Sequence, residues 1–319
     1  MKAITYSAFG GSDQLAVSDV PDPQPGDGEM LIAIKYAAVN PLDWKIRDGA
    51  MQGRMPFEFP IIPGCDAAGI VTALGPGATK FSVGDRVFCY ARKEVFHDGT
   101  YAQSMAVAEP MLALVPDTVD LAAAAAAPVS ALTAWQGLHD FGQLQSGQTV
   151  LVTAGAGGVG SFAIQIARHA GATVIATASA ANHDYMKALG AQHTIDYTAG
   201  SVPEAVREVV PTGCDLVLDC AGGQAYEEGV QSLAPGGRIA TIVSPPDEEA
   251  AAAGGYTAGF IFSMPNGEQL ASIAALMASG HLKSPQLDLR SVRDAAKAQD
   301  DSKAGHTRGK IVLEIDFDE

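Results

Sequence analysis

A chain of 319 residues is long for one hydrophobic core, so two domains are expected. Apolar residues make up 47% and charged residues 18%, a globular balance that excludes disorder as a description of the whole. Lys plus Arg number 20 against 36 Asp plus Glu, and a formal charge of −16 repels phosphate backbones and anionic lipid, which argues against nucleic acid and membranes as partners.

The N-terminus, MKAITYSAFGG, lacks the basic-then-apolar order of a signal peptide. No uncharged apolar run of roughly 18 residues appears, so no membrane span is expected. Cys65, Cys89, Cys214 and Cys220 form no CxxC or other ligand pair, which fits neither a structural zinc nor a disulfide framework. A cytoplasmic, reducing compartment is the simplest expectation.

In chain order, the first 120 residues are β-rich. LIAIKYAAV (31–39), AAGIVTAL (67–74) and RVFCY (86–90) mix β-branched and apolar residues between turns such as Pro25-Gly26-Asp27-Gly28, Gly75-Pro76-Gly77 and Gly84-Asp85. Strands this short predict a compact, barrel-like domain. Between the first two lies Pro63-Gly64-Cys65-Asp66, a thiol beside a carboxylate, which opens three readings: a metal site, a nucleophile, or neither. The most apolar run, Leu121 to Val129, is a short alanine-rich stretch.

From Thr149 the rhythm changes. TVLVTA (149–154), TVIATAS (173–179), HTIDY (193–197), DLVLDC (215–220) and GRIATIV (237–243) alternate with helical patterns, which predicts parallel βαβ units covered on both faces. The fold class is α/β, doubly wound. Ser244 to Gly259, rich in proline, alanine and glycine, is expected to form a mobile wall over a substrate. Phe260 and Phe262 face a flat ring or pack along a strand. GEQLASIAALMASG (267–280) has helical spacing, and the tail closes on the strand-like KIVLEIDF.

Gly155-Ala156-Gly157-Gly158-Val159-Gly160 matches GxGxxG in the context the motif requires, after an apolar strand and before an apolar-periodic helix. Gly155 permits a tight turn, Gly157 lets backbone approach a pyrophosphate, and Gly160 allows close helix packing. The helix start offers unpaired N–H groups and a positive dipole end to phosphate. An NAD-preferring site places an acid at the end of the second strand. Here that strand ends Ala176-Thr177-Ala178-Ser179, and the first acid, Asp184, lies beyond the turn. Ser179 and His183, with Asn182, are therefore expected to meet a 2′-phosphate, which favours NADPH.

The marks Val39-Asn40-Pro41-Leu42-Asp43, Pro63-Gly64-Cys65-Asp66, Val83-Gly84-Asp85-Arg86-Val87, Gly99-Thr100-Tyr101-Ala102, the loop at 155–160, Leu132-Thr133-Ala134 and Arg308-Gly309-Lys310-Ile311-Val312-Leu313 occur in order along the chain. Each is short, but together they resemble the medium-chain dehydrogenase/reductase superfamily over essentially the whole length. The resemblance implies a GroES-like β-rich catalytic domain over 1–122, completed by 262–319, and a doubly wound Rossmann domain with a parallel sheet over 123–261 that binds NADP. Zinc members carry a cysteine near 39–43, Gly-His-Glu where this chain has Gly64-Cys65-Asp66, and a third ligand further on. This chain has NPLD, Cys65 for the histidine, and no cysteine or histidine between Gly99 and Ala134. A catalytic zinc needs three protein ligands, so no metal is expected and the zinc-free quinone oxidoreductase branch is the match.

That branch implies NADPH-dependent reduction of quinones or α,β-unsaturated carbonyls. It implies catalytic roles for Asn40, Asp43 and Lys45, with Lys45 either steadying oxyanion charge or facing water, and Asp43 orienting its neighbours. Tyr101 lines the pocket or packs. Thr133, Tyr197 and Cys220 match family positions close to the cofactor, beside Gly155, Gly157, Gly158, Val159, Gly160, Ser179 and His183. A homodimer joined through the Rossmann domains is also implied. The alternative is an NADPH-binding sensor with little or no catalysis.

Overall fold

The computed structural model describes residues 1–305 and 307–318. Among them the strands run, in chain order, β1 (Lys2–Thr5), β2 (Ala16–Asp19), β3 (Glu29–Ala38), β4 (Asp66–Leu74), β5 (Arg86–Tyr90), β6 (Ser104–Ala108), β7 (Leu112–Leu114), β8 (Thr149–Val152), β9 (Thr173–Ala178), β10 (His193–Asp196), β11 (Cys214–Asp219), β12 (Leu233–Thr241), β13 (Thr257–Phe260), β14 (Leu287–Ser291) and β15 (Lys310–Glu314). They divide between two compact units. One comprises Met1–Val129, Pro265–Ser279 and Ser284–Glu319, the other Ser130–Met264 and Gly280–Lys283.

The first unit is built on the sheet β14-β15-β3-β4-β5-β7, with β6 also pairing β3 and a small β1-β2 hairpin beside it. Met30, Ile32 and Ile34 alternate inward along β3 and meet Val71, Val87, Met105 and Val107 in one core cluster. A second cluster joins Ile4, Val39 and Tyr101 to Val292, Ala298, Ile311 and Leu313, so the C-terminal segment is part of this unit's core. β15 pairs antiparallel with β3, bringing Val312 opposite Ala38. That register carries Lys310 to the turn that follows β3.

In the second unit six strands form a sheet in the order β10-β9-β8-β11-β12-β13, every pair parallel. The order reverses between β8 and β11, which is where a doubly wound sheet binds ligands, beyond the strands' carboxyl ends. Leu151, Ile175, Val217 and Ile239 stack across the four central strands.

One stretch differs from expectation. Ser244 to Gly259 is largely ordered secondary structure: Asp247 caps the helix Glu248–Ala253 by accepting the Ala250 N–H at 2.9 Å, and β13 follows. Alanines make good helix once an acid caps it, and that outweighs the glycines. The alanine-rich run from Leu121 forms the helix Leu121–Ala125, with Ala124 and Ala125 buried.

Candidate functional site

In the first unit the site grows from Asn40, which starts the helix Pro41–Arg47. The Asn40 N–H donates to Asp43 Oδ2 at 2.9 Å and the Asn40 carbonyl accepts the Asp43 N–H at 3.0 Å, which fixes the start of a proline-started helix. The Asn40 amide nitrogen donates to Asp66 Oδ2 at 2.9 Å, and its carbonyl accepts from Lys310 Nζ at 2.6 Å. Asp43 also accepts from the Tyr101 hydroxyl at 2.8 Å. The second Asp66 oxygen takes the Val129 N–H at 2.8 Å. Asn40, Asp43, Asp66, Tyr101 and Lys310 are all buried. Sequence brought out Asn40, Asp43 and Tyr101, and the fold brings them together. Lys45 stands apart, half-buried, its ammonium 5.6 Å from the centre of the Trp44 ring.

Burial dominates the electrostatics. Asp43 is pushed up to about 7 by desolvation against the bonds from Asn40 and Tyr101, and Asp66 to about 6 by desolvation against the pull of Lys310. Lys310 is itself lowered by desolvation, with Asp66 and Asp43 opposing that shift. Burial, then Asp43 and Asp66, hold the Cys65 thiol well above its ordinary range, so it is a protonated thiol at neutral pH. Among the described residues no three His, Cys, Asp or Glu side chains are grouped to hold a metal ion. Both Asp66 oxygens are already engaged and a buried ammonium lies 3.7 Å from one of them, so this constellation does not fit a catalytic zinc.

In the second unit the loop after β8 leads into the helix Gly158–His169. Gly157 caps it without any side-chain bond, and the first-turn N–H groups of a helix have no partner within the helix. A Cβ at Gly160 would lie 2.4 Å from Ala154 O and 2.7 Å from Gly155 Cα. Gly160 therefore serves close packing. The strained turn, by contrast, falls on Ala154, whose φ is 49°, and not on Gly155. A Cβ at Gly155 would meet Met186 Sδ at 2.7 Å and Ala176 Cβ at 3.0 Å, so its smallness serves packing on β9. At Gly157 the nearest obstacle is Ala154 O at 3.3 Å, leaving backbone accessible. This cradle fits a pyrophosphate.

Because the strands are parallel, their carboxyl ends line one edge. Ser179 follows β9, its hydroxyl accepting from Asn182 Nδ2 at 3.1 Å. His183 starts the next helix, and its Nε2 is buried with no hydrogen-bond partner among the described residues. Tyr197, just past β10, is 57% exposed. Cys220 follows β11 and donates its N–H to Thr153 Oγ1 at 2.8 Å. Thr133, on the helix Pro128–Trp135, donates to Ser263 Oγ at 2.9 Å. The rings of Phe260 and Phe262 stack at 6.3 Å.

Three residues here escape sequence reasoning. Buried Asp219 accepts from the Thr153 and Thr241 hydroxyls at 2.9 Å and from the Ala221 and Gly222 N–H groups at 3.1 and 3.0 Å, fixing the loop after β11. Asp196 arrives on the strand next to β9. The Thr198 side chain and backbone, then the Ala180 N–H and His183, hold its carboxyl below the usual range. Lys310 reads as the first residue of an apolar strand, and nothing local marks it as a partner of Asn40.

Comparison with known proteins agrees with this geometry. Residues 26–117 match the alcohol dehydrogenase GroES-like domain and 158–264 the zinc-binding dehydrogenase family. The chain is 32% identical to the chloroplast envelope quinone oxidoreductase homolog of Arabidopsis thaliana, over 98% of each protein. The chain belongs to the medium-chain dehydrogenase/reductase family, in its quinone oxidoreductase branch. It is an oxidoreductase. Another relative in this family, the chloroplastic NADPH-dependent alkenal/one oxidoreductase of Arabidopsis thaliana, is 32% identical over 98% of this chain and 79% of its own. A mycobacterial protein, Rv1454c, solved in complex with NADPH, superposes with a TM-score of 0.85 at 33% identity, covering 98% of this chain and 100% of that one.

Proposed function

We propose that this oxidoreductase uses NADPH to reduce quinones or α,β-unsaturated carbonyls by hydride transfer, with no zinc ion. The observation that carries the reading is the Lys310–Asn40–Asp66 arrangement. The carboxylate and thiol at the family's ligand positions are buried and held by an ammonium in one case and protonated in the other. Without a Lewis acid, acceptors whose developing negative charge is delocalised are the accessible ones, since hydrogen-bond donors suffice to stabilise it. The relatives named as quinone and alkenal/one oxidoreductases support the same class.

When bound, the dihydronicotinamide supplies the hydride. Gly157 and the N–H groups of the helix Gly158–His169 bind the pyrophosphate, while Ser179 and His183 meet the 2′-phosphate. Thr133, Tyr197 and Cys220 line the cofactor. Asn40 and Asp43 hold the helix that presents Lys45, and Lys45 donates to the oxyanion. NADPH oxidation against quinone and alkenal panels, with chelator present, tests the reading. Turnover unaffected by chelation is expected, whereas no turnover with any acceptor overturns it. Titration with both cofactors tests the preference, and equal affinity for NADH overturns the assignment of Ser179 and His183.

The second reading, a cofactor-binding sensor, is favoured by one observation: the Asn40 amide is wholly engaged inside the protein. It predicts NADPH binding with no acceptor-dependent oxidation. We also propose a homodimer, supported by β13, which pairs β12 on one side and is an outermost strand of its sheet; sedimentation checks it. Four free thiols suit a reducing compartment such as the cytoplasm. Among the described residues no helix is long and apolar enough to cross a membrane.

A further inference from the structure

We propose that Lys310 is a positioning residue: its ammonium holds the Asn40 side chain and the Val39 carbonyl, and so the Asn40 backbone that caps the helix Pro41–Arg47, which presents Lys45. The inference rests on the reductase reading above for its kinetic consequence, and on geometry alone for its structural one.

Lys310 is 4% exposed. A buried ammonium is tolerated only when its protons find acceptors, and here the acceptors belong to one turn. Lys310 Nζ donates to Val39 O at 3.0 Å and to Asn40 Oδ1 at 2.6 Å, and lies 3.7 Å from Asp66 Oδ2. Of the other titratable groups facing this ammonium, Asp43 favours its charged form, while Cys65 faces it as a protonated thiol.

A primary amide has two ends of similar shape and opposite polarity. Asn40 sits between a cation and a carboxylate, with its oxygen to Lys310 and its nitrogen to Asp66. Turning the amide over would press NH₂ against the ammonium and oxygen against the carboxylate. The pair therefore selects one orientation, and the selection acts on a residue whose own N–H is locked to Asp43. Take the ammonium away and the amide nitrogen keeps Asp66 and the Ala38 carbonyl, while the amide oxygen is left buried and unsatisfied. The cap loosens at the first turn, and Lys45 lies in that same short helix. Lys310 comes from β15, whose neighbour Ile311 accepts the Val39 N–H at 2.9 Å, so the closing strand delivers this cation to the turn.

The experiment is a double-mutant cycle with K310M and N40A, read by kcat on a quinone, by the NADPH dissociation constant, and by hydrogen exchange of residues 40–47. K310M is expected to lower kcat about tenfold, since small misplacements of a positioned group cost that much or more. NADPH affinity should stay within about twofold, because the cofactor's phosphates are held by the second unit. Exchange should rise in 40–47, and K310M/N40A should fall no further than the worse single variant. Additive losses, a wild-type kcat in K310M, or unchanged exchange in 40–47 each overturn the proposal. Should K310M not fold, D66N takes its place, keeping shape while removing the charge on the other side of Asn40. The same kcat loss and exchange are expected there, and wild-type behaviour overturns the proposal. Absence of turnover in the wild type would count against the reductase reading alone, and exchange in 40–47 would still decide the role of Lys310.

Discussion

The two units place their functional groups by opposite means. The first relies on buried side chains: Asn40, Asp43, Asp66, Tyr101 and Lys310 hold one another, and their ionisation is shifted by burial. The second relies on backbone and on small residues: Gly155, Gly157 and Gly160 bring chain close to chain at the start of a helix whose first N–H groups have no partner within it. Asp219 is its one deeply buried carboxylate among the described residues, and that group too serves a loop, taking two N–H groups and two hydroxyls. Charge networks are sensitive to pH and to charge-changing substitutions, whereas glycine cradles are sensitive to added volume. The contrast can be broken or sharpened by experiment.

The largest effect is expected where the second unit departs from its own rule. D219A orphans two buried hydroxyls and two loop N–H groups, and should destabilise by about 3 kcal/mol, read by denaturant unfolding. A loss below about 1 kcal/mol would show that water replaces the carboxylate. Next comes G160A. Its Cβ would press on Ala154 O and Gly155 Cα, both backbone and unable to swing away. Overpacking of about 2 kcal/mol should weaken NADPH roughly thirtyfold with little change in residues 40–47. Wild-type affinity would mean the loop yields.

The first unit is tested by pH. Asp43, at about 7, and Asp66, at about 6, stand above their unfolded values near 4. Across that window the native state keeps protons the unfolded chain has released. The contribution of these groups to stability therefore falls as pH rises from about 4 to about 7 and is level above. D43N removes the Asp43 part, so its melting temperature should fall less steeply with pH than that of the wild type. Parallel curves would mean that Asp43 is ionised throughout.

The smallest effect concerns cofactor choice. Asp196 is a carboxylate beside the Ser179–His183 turn, where it would oppose a 2′-phosphate bound as proposed. D196N should raise the NADPH-over-NADH affinity ratio by about threefold, and S179A should lower it by about fivefold, the worth of one hydrogen bond. Movement of both ratios in the same direction would place the 2′-phosphate elsewhere.

Much of this protein could be read along the chain. The change from closely spaced strands to βαβ alternation, the strand–loop–helix around 155–160 and the helix over 267–278 depend on periodicity and turn chemistry acting within a dozen residues. Asn40, Asp43 and Tyr101 came from short ordered motifs. The orientation of Lys45 did not, because a lysine on a short helix faces its neighbours or water according to packing. Nor did the positive φ at Ala154, which the motif assigns to Gly155, where smallness serves packing against Met186 and Ala176 instead.

The Pro63-Gly64-Cys65-Asp66 stretch shows where local reading ends. Sequence alone took Asp66 away from a metal and toward internal hydrogen bonds or a salt bridge, without naming its partners. The fold gave it the Asn40 amide 26 positions away, the Val129 N–H 63 positions away and the ammonium of Lys310. Elements follow from interactions between neighbours in sequence. Which buried charge meets which amide follows from strand register, and Lys310 reaches Asn40 across 270 positions only because β15 pairs with β3.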